Sequence, residues 1–188
     1  MSELEIIQQR LKIFAKKSTA ESIKKFVPGA TRVYGVKNPE LNAIAKEFKS
    51  GGFELINTLW KSGSYEERII AAKMIREIAK KNPEEVLETV KRFSGDIDNW
   101  ALCDTLGMQS LKPVNKLLSD KIFAFATKLS SSKDPWKRRL SLVIVEDFSK
   151  DKNFHAAIKK LIAVQKDDKS YYIKKAVDWL ERNLKKPV

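Results

Sequence analysis

Apolar positions recur at three- and four-residue intervals along almost the whole chain. In EERIIAAKMIREIAKK, Ile70, Met74, Ile75 and Ile78 form a stripe with the period of a helix. PEEVLETVKRF, NKLLSDKIFAFATKL, RRLSLVIVEDF, FHAAIKKLIAV and YYIKKAVDWLERNL obey the same rule. No run of alternating β-branched residues flanked by a two-residue turn interrupts them. The pattern predicts about eleven helices, near 2–16, 19–27, 38–50, 52–62, 64–81, 83–95, 97–109, 113–130, 134–149, 152–165 and 169–185. The connections are short, so sequential helices are expected to be antiparallel neighbours.

Helix starts carry their own chemistry. Asn38-Pro39, Asn82-Pro83 and Asp134-Pro135 each set a capping side chain before a proline. At the first helical position the missing proline N–H costs nothing. Ser64 with Glu67 has the pattern of a capping box.

A longer period lies over the helical one. Tyr65-Glu66-Glu67-Arg68, Trp136-Lys137-Arg138-Arg139 and Tyr172-Ile173-Lys174-Lys175 each set a base three residues after an aromatic. Arg68 and Arg139 are 71 positions apart, Arg139 and Lys175 are 36 apart, and the position that a 36-residue period leaves vacant is Asp104. Repeats of this size built from paired helices indicate an all-α solenoid of the HEAT type, here one domain spanning 1–188. The recurrent bases would then line one concave, basic face, and Asp104 would interrupt them. Flanked by Arg68 and Arg139, its carboxylate is expected to stay ionised. A structural ion pair tying adjacent repeats together explains the same residue.

Composition narrows the partners. The 188 residues carry 37 Lys and Arg against 24 Asp and Glu, a formal charge of +13. Residues 112–188 hold 19 bases and 9 acids, so most of the excess lies there. A polyanion, nucleic acid ahead of an acidic membrane surface, is the partner this favours. A solubilising surface is the plainer explanation. Cys103 is the only cysteine and His155 the only histidine. That excludes a disulfide framework within the chain and argues against a His-based metal cluster or a Ser-His-Asp triad. MSELEIIQQRLK does not have the pattern of a signal peptide, and no apolar run approaches the ~20 residues of a membrane span. A cytoplasmic monomer without metal or cofactor is expected.

The motifs for phosphate-binding loops, dinucleotide folds, serine hydrolases and zinc peptidases are absent. Adjacent acids at Glu66-Glu67, Glu84-Glu85 and Asp167-Asp168 fall at helix starts or turns, where capping and solvation account for them. Trp100 and Asp104, at i and i+4, share a helix face, and Trp179 stands four residues after Lys175. Trp60 and Trp136 are expected in core packing, as is Cys103, and His155 is expected to face solvent.

Three stretches, WALCD (100–104), WKRR (136–139) and YYIKKAVDW (171–179), closely resemble the AlkD-like branch of the DNA alkylation repair family. YGVKNPELNAIAKEF (34–48) and LWKSGSYEERIIAA (59–72) resemble its N-terminal part, so the likeness runs over most of the chain. The resemblance implies a HEAT-like repeat DNA glycosylase that releases purines alkylated at N3 or N7 without flipping the base into a pocket. Asp104 matches the family's functional aspartate and Trp100 its neighbouring tryptophan. Arg139 matches the arginine set near the lesion backbone, and Trp179 the second tryptophan of the cleft. The same resemblance implies further helices beyond the place of Trp179, which nine residues follow here.

On this reading Asp104 stabilises the cationic sugar and positions water, Trp100 and Trp179 cradle it, and Arg139 anchors phosphate. Arg68, Lys137, Arg138 and Lys175 are the candidate DNA-binding bases, and duplex DNA carrying alkylated bases is the partner. A non-catalytic helical-repeat module that binds nucleic acid or an acidic partner explains the charge equally well, but not the carboxylate beside a tryptophan.

Overall fold

A computed structural model describes residues 1–187; Val188, the last residue of the expected domain, lies outside them. All regular structure among the described residues is helical. The α-helices are α1 (Glu3–Phe14), α2 (Lys17–Phe26), α3 (Asn38–Glu47), α4 (Gly52–Lys61), α5 (Tyr65–Ile78) and α6 (Pro83–Phe93). They continue with α7 (Trp100–Thr105), α8 (Ser119–Ser130), α9 (Pro135–Val143), α10 (His155–Gln165) and α11 (Tyr171–Leu184). Helices α3, α5, α7, α9 and α11 lie side by side in chain order, each touching the next. Helix α4 packs on α5, α8 on α9, and α10 on α8, α9 and α11, making a second layer of the helical-repeat solenoid.

The amphipathic stripes explain the layering. Ile70, Met74 and Ile75 are fully buried, and one contiguous apolar core runs from Ile7 to Leu180. Burying one such side chain contributes about 1.5–3 kcal/mol. Among the described residues no helix is long and apolar enough to cross a membrane.

Local signals are only partly obeyed. Asp134 caps α9, its carboxylate accepting from the Trp136 N–H at 2.8 Å. Asn82 precedes α6 without a side-chain cap, and Asn38 lies inside α3, which Lys37 precedes. The expected capping box at Ser64 does not form: its hydroxyl is buried without a partner. Glu67 instead accepts from the Tyr34 hydroxyl at 2.8 Å, a tertiary bond that outcompetes the local one.

Glu66 also departs from the expectation of a solvated helix start. It is fully buried, and its carboxylate accepts the backbone N–H groups of Tyr34, Gly35 and Val36 at 3.0, 2.7 and 3.1 Å. That anchors the segment entering α3 to α5. Gly35 is required there: its φ is +91°, and a Cβ would lie 2.4 Å from the Lys16 carbonyl oxygen.

Three predicted helices fall six or seven residues short of what their periodicity suggests. Helix α8 begins at Ser119, because Pro113 places a 3₁₀ turn at Lys112–Val114. Helix α9 stops at Val143, where the β-branched run Val143-Ile144-Val145 begins. Helix α7 passes into a π-helical turn at Leu106–Ser110. Within that turn Gly107 meets α9: a Cβ there would approach Val143 Cγ1 at 2.8 Å and Leu140 Cδ1 at 3.0 Å. The missing side chain lets α7 lie close against α9.

Candidate active site

That close approach sets Asp104 opposite Arg139. Asn99 starts α7 by accepting the Leu102 N–H at 2.9 Å, and Asp104 projects one turn after Trp100. Arg139 donates from Nε to Asp104 Oδ1 at 2.9 Å and from Nη2 to Oδ2 at 2.8 Å. This is the two-pronged geometry that guanidinium and carboxylate planes favour. Arg139 Nη1 donates to the Tyr172 carbonyl at 2.5 Å, so one guanidinium links α7, α9 and α11.

The Arg139 side chain is 9% exposed and that of Asp104 is 24% exposed. The carboxylate therefore keeps a solvent-facing portion while its partner is enclosed. Burial raises the Asp104 pKa above its ordinary value; the hydrogen bonds and charge of Arg139 oppose that rise without cancelling it. The sequence predicted only the charge effect. Desolvation wins because the Asp104 side chain is mostly withdrawn from solvent.

Arg68 does not pair with Asp104. It is 7% exposed and donates to Asp98 Oδ2 at 2.8 Å and to the Asp96 carbonyl. Its guanidinium lies 4.8 Å from the centre of the Trp60 ring. The base thus holds the 96–98 loop that leads into α7, and the acid that occupies it is Asp98. Arg138 is similarly committed: its Nε donates to Asp168 Oδ2 at 2.7 Å, and its Nη1 to the carbonyls of Ser132 and Lys133. Two of the candidate DNA-binding bases, Arg68 and Arg138, are therefore each paired with an acid 30 residues further along the chain.

Lys137 lines a different groove, of about 790 Å³, with Lys91, Lys121 and Lys128 between α6, α8 and α9. Lys175 is exposed on α11, its ammonium 5.6 Å from the Tyr171 ring centre. Trp179 is half-buried on the same helix.

Trp100 is half-buried as well. Its indole N–H donates to the Phe26 carbonyl at 2.9 Å, and the ring packs on Val27, Ala30 and Ala101. The tryptophan beside Asp104 is thereby tied to the segment after α2. Trp60 is buried, stacked on Phe93 at 4.1 Å and bonded to Asp96 Oδ2 at 2.9 Å. Trp136 packs against the core and lies 5.1 Å from Tyr172. Cys103 is fully buried, and burial pushes its thiol pKa well up. His155 is half-buried rather than solvent-facing, its Nε2 2.8 Å from the Ser149 carbonyl.

A feature without a sequence motif completes the region. Between α3, α5 and the π-helical turn lies an open cleft of about 600 Å³, whose wall includes Lys46, Lys73, Arg76 and Thr105. Thr105 directly follows Asp104. Lys73 sits in the helical stripe pattern without an aromatic before it, so periodicity alone gave no signal. Among the described residues no group of three or more His, Cys, Asp or Glu side chains is placed to hold a metal.

The family model described as DNA alkylation repair enzyme matches residues 7–187. No curated protein matches the chain.

Proposed function

Because the chain belongs to the DNA alkylation repair enzyme family, we propose that it is a monofunctional DNA glycosylase releasing purines alkylated at N3 or N7 from duplex DNA. The observation that carries this reading is the Asp104 carboxylate, held by Arg139 in one orientation yet still open to solvent on α7.

An N3- or N7-alkylated purine carries a positive charge and departs as a neutral base. No general acid is then needed to protonate it. Positive charge develops instead on the deoxyribose, and a fixed carboxylate beside that sugar stabilises it and orients water. The Trp100 and Trp179 rings add cation–π attraction of about 0.5–2 kcal/mol each where they face the charge.

Arg139 takes a different task from the phosphate anchor expected of it. Its guanidinium is spent on Asp104 and Tyr172, so it acts as a positioning residue that keeps the carboxylate ionised and aimed. Backbone affinity then falls to exposed bases such as Lys175 and to the excess of positive charge, and it weakens with salt. Arg68 and Arg138 stand outside the proposed interface because acids already neutralise them.

The test is duplex DNA carrying N7-methylguanine, with free base quantified for the native chain and for Asp104→Asn. Release by the native protein and its loss in the variant are expected. Full activity in Asp104→Asn would remove the carboxylate from the mechanism.

One observation favours a second reading, a non-catalytic module that binds nucleic acid. Both Asp104 oxygens are engaged by Arg139, as a purely structural tie between repeats requires. That module would release no base, and Asp104→Asn would leave its salt-sensitive DNA binding in place.

A further inference from the structure

Lys73 is the most unusual base in the molecule. It is 6% exposed on α5, and its ammonium donates only to amide oxygens, Asn42 Oδ1 at 2.7 Å and Gln109 Oε1 at 3.4 Å. Among the described residues no carboxylate lies within 4.0 Å of it. A buried charge is ordinarily paired with its opposite. After burial, what pulls its pKa down is the like charge of Arg76, one turn away. Lys73, Lys46, Arg76 and Glu77 share the cleft of about 600 Å³ with Asn42 and Thr105. The volume suits a sugar phosphate.

We propose that Lys73 is an amine nucleophile that captures an aldehyde carried on a phosphate backbone, the ring-opened deoxyribose of an abasic site in DNA. The identity of that carrier rests on the glycosylase reading, since release of a base leaves such a sugar. The site itself rests on the cleft. Desolvation and an adjacent cation are the two ways in which a protein makes a lysine nucleophilic, and both act on Lys73. Burial, and then Arg76, pull its ammonium below the ordinary lysine range. Lys46 and Arg76, on the same wall, supply positive charge for the flanking phosphates.

The chemistry balances without a further reagent. The neutral amine adds its lone pair to C1′ of the aldehyde, forming an N–C bond while the carbonyl electrons move to oxygen. A proton passes from nitrogen to that oxygen. The hydroxyl then leaves as water, taking up a second proton, and the nitrogen lone pair forms the C=N bond. The protonated imine gives up its remaining proton, so that amine and aldehyde yield imine and one water.

The experiment supplies the abasic site ready-made. The full chain is incubated with abasic duplex DNA and cyanoborohydride, which reduces an imine to a stable amine, and the cross-linked peptide is identified by mass spectrometry. The adduct is expected on Lys73. It is expected to vanish in Lys73→Arg, which keeps the positive charge but stays protonated. No adduct, or adducts scattered over exposed lysines, overturns the proposal, and mapping on the native chain decides even if Lys73→Arg folds poorly. Trapping in Asp104→Asn keeps the two readings apart. An adduct on Lys73 in Asp104→Asn supports the capture site independently of base release, and the glycosylase reading falls only if the native chain releases no alkylated base.

Discussion

Arg139 grips Asp104 through two parallel hydrogen bonds and fastens itself to the Tyr172 carbonyl with a third. The carboxylate that interrupts a basic repeat is thus held by a guanidinium that joins three successive helices of one layer. Its chemistry and its structural role share the same atoms, so they must be separated by substitution.

Removing the arginine leaves a largely buried carboxylate without its partner. Arg139→Ala is expected to destabilise the fold by about 3 kcal/mol, read from denaturant midpoints at constant m-value. Arg139→Lys retains the charge but not the fork. It is expected to recover part of that stability while base release stays low, because the carboxylate loses its fixed aim. Equal recovery of both would show that charge alone matters.

The pH profile of base release carries the burial of Asp104. Its pKa is raised by desolvation, which Arg139 only partly offsets. The active, ionised form is therefore lost as pH falls through that raised value. The acid limb is expected above the ordinary aspartate range of about 3.9. The same shift makes the contribution of Asp104 to stability largest in acid, and that contribution is lost as pH rises through its folded pKa. An acid limb at or below the ordinary range would assign it to another group.

Asp168 behaves in the opposite sense. Burial would raise its pKa, but the hydrogen bond from Arg138, the Ser170 N–H and nearby positive charge outweigh burial and lower it. Its stabilisation is present above the unfolded aspartate pKa and is lost as pH falls through the lowered one. Asp168→Asn should therefore lower Tm at pH 7 and change it little at pH 2. A similar loss at both values would point to packing rather than charge.

Gly107 sets the distance between α7 and α9. Gly107→Ala places a methyl group against Val143 and Leu140 and is expected to cost about 1–3 kcal/mol by overpacking. Base release should fall further than stability explains, since Asp104 moves away from Arg139. Crystal structures of the variant would show whether the two-pronged bond survives.

Trp100 ties the site to the segment after α2. Trp100→Phe removes the bond to the Phe26 carbonyl and is expected to cost about 1 kcal/mol. Amide exchange should quicken in residues 23–30 before it changes in α9. Uniform protection across the chain would mean that this bond does not hold the segment.

Periodicity by itself determined that the chain is a stack of helices, because each helix must turn one stripe to the core whatever its neighbours do. The 36-residue spacing likewise singled out Asp104, since aligned repeats place equivalent positions on one face. Pairing was beyond it. Asp98 claims Arg68, Asp168 claims Arg138 and Tyr34 claims Glu67, because a long side chain reaches partners some 30 residues away whose positions only packing defines. The burial of Lys73 and the close approach at Gly107 were decided in the same way. A local pattern encodes which face of a helix is apolar; the distance between two helices, and therefore the charge and exposure of what lies between them, exists only once they are packed.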